Sequence, residues 1–204
     1  MIKKLQALKA KKGFTLVELV VVIAIIGVLA AILVPTMIGV VQDSNITSAN
    51  TTASQIKTQA TTFLTKADAA KHSIRGTGNG SAIDVLKFTV SSSGWTDAGS
   101  AAVTFGTQNK YTVTGTDKNT AFNAFMADVL RDFKNGYVEV YIHNAAVIGV
   151  IAVPGGQASD IPTALTSGTV FEGTQEINWP GNKAGVGTNS IIVGTAPVIA
   201  HTTA

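Results

Sequence analysis

Hydrophobic and polar positions divide the chain into three stretches. From Leu19 to Val41 no residue is charged and almost none is polar. A helix over this run is ~35 Å long at 1.5 Å per residue, enough to cross the hydrocarbon core of a membrane. After Val41 the pattern becomes one-sided. Ile46, Ala49, Ala53, Ile56, Ala60, Phe63, Ala67 and Ala70 recur at three- and four-residue spacing, the mark of an amphipathic helix with a narrow apolar seam running to about His72. Joined to the apolar run, it makes one helix of about 59 residues, a length typical of fibrous or packed helices. The seam is expected to carry the sheet of a following domain.

Gly76-Thr77-Gly78-Asn79-Gly80 ends the helix and opens the third stretch. It is no phosphate cradle, because no strand precedes it and no Gly-Lys-Ser/Thr follows. Ala101–Phe105 and Lys110–Thr114 predict a hairpin around Gly106–Asn109. Phe122, Phe125, Met126, Val129, Leu130 and Phe133 predict a second helix, capped from Asp117 or Asn119, whose stripe is core packing. Tyr137–His143 alternates as a strand with Val138, Val140 and Ile142 on one face, and the near-continuous apolar run Ala146–Val153 predicts the central strand. Residues 154–187 are loop-rich with a helical turn at Ile161–Leu165, and Ser190–Val193 and Pro197–Ala200 predict terminal strands. The fold class is therefore α+β: a long N-terminal helix packed on an antiparallel sheet.

Composition sharpens this division. The chain is 46% hydrophobic and only 13% charged, with a mean hydropathy of +0.32, and both excesses come largely from Phe14 to Val41. The pI of about 9.2 overstates the basicity of the rest. Lys3, Lys4, Lys9, Lys11 and Lys12 supply five of the fifteen basic residues. Without them ten basic residues face twelve acidic ones, so net charge gives no support to nucleic-acid binding. No cysteine is present, which excludes thiol catalysis and Cys-ligated metal.

The short basic segment 1–13 precedes Phe14-Thr15-Leu16-Val17-Glu18 and the apolar run. Lysines on that flank predict a cytoplasmic N-terminus, with everything after Val41 outside. Three readings compete. One is a plain single-pass anchor. Another is a secretory signal cut after Val28-Leu29-Ala30, though the apolar run continues well past that point. The third turns on Glu18, a carboxylate inside the run, which costs roughly 2.5–3.5 kcal/mol on insertion scales and calls for a partner.

Gly13-Phe14-Thr15-Leu16-Val17-Glu18-Leu19, with its upstream lysines and the stalk through Pro35, resembles the signature of type IV prepilins; the match is close from about Lys9 to Val41. The resemblance implies a leader 1–13 cut between Gly13 and Phe14 by a prepilin peptidase, and methylation of the new Phe14 N-terminus. It also implies pairing of Glu18 with the N-terminal amine of a neighbouring subunit. An opposite charge of this kind favours the ionised carboxylate in a low-dielectric bundle. Residues 14–41 become the transmembrane and assembly helix, and 42–204 a pilin head that includes the amphipathic half.

The implied function is that of a structural subunit of a type IV pilus, in adhesion, motility or DNA uptake. The implied partners are further copies of the chain, an assembly platform, its ATPase and the cytoplasmic membrane before assembly. A pseudopilin of a secretion or competence system, a minor adhesive pilin and a monomeric membrane-anchored binding protein are the alternatives. Pro35 lacks an N–H and weakens the helix, and Gly27 and Gly39 flank it as weaker points. This reads as a simple kink or, by the resemblance, as a stretch that melts in the fibre. Many pilins staple the C-terminal loop with a disulfide; this chain does not, and so resembles the cysteine-free pilins of Gram-positive bacteria.

Little else in the sequence carries chemistry. His72, His143 and His201 are isolated, with no His-Glu-x-x-His, and read as surface or satisfied side chains. Asp160, Glu172 and Glu176 match no calcium loop and read as solvated charge. The sequons at Asn45 and Asn50 read as accidental. No enzyme motif, resident metal or cofactor is expected.

Overall fold

The computed structural model describes residues 14–69, 74–75, 83–99, 104–105, 118–144, 146–173 and 175–202. The chain divides into two compact units, Met1–Asp43 and Ser44–Ala204. A single helix, α1 (Leu16–Ala69), runs from the first into the second. At 54 residues it falls short of the expected span, whose end at His72 lies outside the described residues.

In the second unit the seam does what its spacing requires. Ile46, Ala49, Ala53, Ile56 and Ala60 are buried, and Leu64 continues the row while Phe63 is only partly buried. Small residues in the middle of the row bring the helix backbone close to what it covers.

That partner is a five-stranded sheet in the order β3-β2-β5-β6-β8, antiparallel throughout, formed by β2 (Asp84–Ser91), β3 (Gly94–Asp97), β5 (Gly136–His143), β6 (Ala146–Pro154) and β8 (Gly194–Ala196). The central strand is β5. The apolar run predicted for the centre, β6, lies beside it, with only the three-residue β8 on its other side. The β2–β3 hairpin is not among the predicted elements, although Leu86, Phe88 and Val90 alternate inward through β2.

Val138, Val140 and Ile142 face a cluster shared with Ala53, Ile56, Ala60, Phe122 and Met126. Phe122 and Met126 belong to α2 (Lys118–Val129). Asn119 lies within α2 and does not cap it, Asp117 is outside the described residues, and Leu130 and Phe133 follow in a turn.

The predicted 101–114 hairpin is described only at β4 (Thr104–Phe105), which pairs antiparallel with β1 (Ile74–Arg75); Lys110–Thr114 lies outside the described residues. The opposite sheet face carries a second cluster from Tyr137, Tyr141, Ile151, Leu165, Phe171, Trp179 and Ile199. Most of its cover is irregular chain with short 3-10 turns at Ala158–Asp160, Thr163–Leu165 and Thr169–Phe171.

The terminal strands fall later than the sequence pattern suggests. Ser190 closes a 3-10 turn and Ile192 makes only an isolated bridge to Val186, so β8 begins at Gly194. The last pair is parallel, β7 (Glu176–Ile177) with β9 (Ala200–His201). Gly194 is where β8 meets α1: a Cβ there would run into the Ala49 carbonyl group, with Asn50 N at 2.8 Å. Only glycine allows that approach.

Candidate functional site

The first unit holds the sequence signature. Every large apolar side chain from Phe14 to Val41 is exposed, from 48% at Val20 to 89% at Phe14. By length and composition, α1 is the one described helix able to cross a membrane, with a window of mean hydropathy 3.1. A surface so apolar is stable only against lipid or protein.

Its start is built by Thr15 and Glu18. Thr15 donates its backbone N–H (2.8 Å) and its hydroxyl (2.7 Å) to Glu18 Oε2, and its hydroxyl oxygen accepts the Glu18 N–H at 3.2 Å. This is a capping box, Thr-x-x-Glu, satisfying donors at the helix start that have no intrahelical partner. The Thr-x-x-Glu spacing is legible in the sequence, although it is the neighbour's amine, not Thr15, that the sequence signature suggests as the partner of Glu18.

Gly27, Pro35 and Gly39 all lie inside the unbroken helix, and a Cβ on either glycine would meet nothing within 4 Å. Proline removes one i to i−4 bond. Next to it, Thr36 donates its hydroxyl to the Leu33 carbonyl at 2.8 Å. In the single chain the stretch is therefore helical. Gly13 lies outside the described residues.

In the second unit the polar groups bind the head together. Lys57 donates to the Ile148 carbonyl at 2.9 Å, at the register shift between β5 and β6 where Ile148 is the extra residue. A bulge frees a carbonyl from the ladder, and α1 takes it; burial lowers the pKa of the lysine. Asn50 Oδ1 accepts the Thr195 N–H at 2.9 Å, so α1 also caps the edge strand β8.

Glu139 is 2% exposed. It accepts hydroxyls from Tyr137 (3.1 Å) and Tyr141, and lies 3.4 Å from Lys87 on β2. Burial raises both tyrosine pKa values, and the negative Glu139 adds to the effect. The group is a satisfied buried charge of the kind interiors tolerate.

Of the three carboxylates read as solvated, Glu172 and Glu176 are exposed and Asp160 is not. Asp160 is buried, accepting from Gln157 N–H (2.9 Å) and Asn189 Nδ2 (3.3 Å). Exposed Glu172 pairs with His143. His201 Nδ1 accepts the Trp179 N–H at 3.2 Å, and His72 lies outside the described residues. Among the described residues no three His, Cys, Asp or Glu side chains group to hold a metal. In place of a disulfide, the C-terminal layer is restrained by Trp179, whose indole donates to the Ala200 carbonyl at 3.1 Å, and by the second cluster.

Residues 8–34 match a family model described as "Prokaryotic N-terminal methylation motif". Residues 46–200 match "Domain of unknown function (DUF5021)". Two fimbrial proteins of Pseudomonas aeruginosa are each 47% identical over 53 residues, 26% of this chain and 34% of the relative. A fimbrial protein of Moraxella nonliquefaciens is 46% identical over 55 residues, 27% of this chain and 36% of the relative. The chain thus spans about a third of the length of the curated relatives it matches. No solved structure matches it.

Proposed function

We propose, from the premise that the chain belongs to the family described as Domain of unknown function (DUF5021), that it is a structural subunit of a type IV pilus. The carrying observation is the methylation motif over residues 8–34, on a helix whose large apolar side chains up to Val41 are all exposed. The similarity to fimbrial proteins supports the same reading over a third of their length.

In this reading a prepilin peptidase cuts between Gly13 and Phe14, Phe14 is methylated, and residues 14–41 are the assembly helix. Before assembly the N-terminus is cytoplasmic and the head outside. The platform and its ATPase then extract subunits into a homopolymer on the surface, where each Glu18 meets a neighbour's Phe14 ammonium. The stretch between Gly27 and Pro35, with Gly39 a further weak point, is helical in the lone chain and melts when packed, since Pro35 leaves one backbone bond unmade. A major pilin of the cysteine-free, Gram-positive type is the form proposed, and the role is structural rather than catalytic.

The test is expression of the chain in cells with and without a prepilin peptidase, followed by shearing of the surface. Filaments composed mainly of this chain, and only when the peptidase is present, support the reading. A scarce subunit in filaments made of another protein points to a minor pilin or pseudopilin. Full retention in the membrane as a monomer contradicts the proposal.

A further inference from the structure

We propose that Thr15 is the positioning residue for Glu18: it satisfies the carboxylate inside the lone chain and fixes the direction in which it is offered to a neighbouring subunit. The inference rests on the assembly reading above and deepens it.

A carboxylate in an apolar helix must find donors. Two are within its own chain, the Thr15 N–H at 2.8 Å and the Thr15 hydroxyl at 2.7 Å. The hydroxyl carries one hydrogen and two lone pairs, so it can also accept the Glu18 N–H at 3.2 Å, as it does. Serine can reproduce this double role; valine, of nearly the same shape, cannot. Both hydrogen bonds fall on Oε2, which leaves Oε1 to take a cation from outside.

The box also survives maturation. Cleavage after Gly13 creates its ammonium on Phe14, one residue upstream, and leaves the Thr15 N–H and hydroxyl intact. The precursor therefore enters the membrane with Glu18 already hydrogen-bonded, and the mature subunit presents it in a fixed orientation. Ordering a charged side chain before contact lowers what association must supply.

Full-length tagged variants are expressed beside the wild-type chain in assembling cells. Their incorporation into sheared fibres is counted against their own cleaved pool in the membrane, so effects on cutting do not enter. Thr15→Val is expected to lower incorporation about tenfold, the loss of one hydrogen bond to a charged group. Thr15→Ser is expected to stay within about twofold of wild type, since serine keeps the double role. In a Glu18→Ala background, Thr15→Val should cause no further loss, because a residue acting through Glu18 has nothing left to position.

Normal incorporation of Thr15→Val overturns the proposal. So does an equal loss with and without Glu18, which would make Thr15 a helix cap alone. If the wild-type chain itself makes no fibres, the assembly reading fails, and this proposal with it.

Discussion

Glu18 and Glu139 are carboxylates in apolar surroundings, and each is stabilised by hydroxyl donors from its own chain. For Glu139 the donors are Tyr137 and Tyr141, which fixes the alkaline behaviour of the head. Their folded pKa values are raised, first by burial and then by the charge of Glu139. The folded state therefore keeps protons that the unfolded phenols release near pH 10. This contribution to stability is complete below about pH 10 and is lost as the pH climbs toward the folded values. Phenolate absorbance in an alkaline titration should show these two of the three tyrosines ionising only as the head unfolds. Ionisation of all three near pH 10, with the fold intact, would contradict the buried network.

For Glu18, replacement by alanine should leave insertion and cleavage intact while fibre formation by the variant alone falls sharply, because each Phe14 ammonium loses its carboxylate. Electron microscopy of sheared fibres checks this, and normal fibre numbers would remove the pairing. Gly194→Ala should destabilise the head by about 2 kcal/mol, as overpacking does, since its Cβ would meet the Ala49 carbonyl; urea unfolding measures it. Among these residues only Glu18 stands out in the sequence, through an ordered motif. Gly194 does not, because its neighbour is a hundred and more positions away.

At the scale of elements, legibility follows the reach of the cause. Periodicity is a local signal, so α1, α2, β5 and the buried seam could be read directly. The β2–β3 hairpin carries the same alternation at Leu86, Phe88 and Val90, but over one strand only and beside a short partner. The place of β8 and the rank of β5 as the central strand depend on strand order, which no local pattern encodes. Anchors such as Lys57 on the Ile148 bulge and Asn50 on β8 are likewise long-range.

The core nonetheless has a clear edge: its first buried apolar residue is Ile46. A fragment beginning at Gln42 keeps the entire buried core and loses only exposed apolar surface, so it should be a monomer that unfolds cooperatively with mixed α/β circular dichroism. Aggregation, or a non-cooperative melt by calorimetry, would place the head's stability in contacts made by residues 14–41.

For the molecule as a whole, two apolar systems have different destinations. One is buried within residues 46–202 and is satisfied by the chain itself. The other, Phe14–Val41, is left exposed among the described residues and calls for lipid or other copies. A plain anchor, a secretory signal and a pilin helix all share that exposed run, and they differ in where the mature chain starts. Mass spectrometry of the N-terminus of the mature protein, taken from sheared surface material, therefore separates the three. A pilin subunit begins at Phe14 with a methyl group on its amine. A chain that still begins at Met1, or one that begins near Ala31, would contradict the pilin reading.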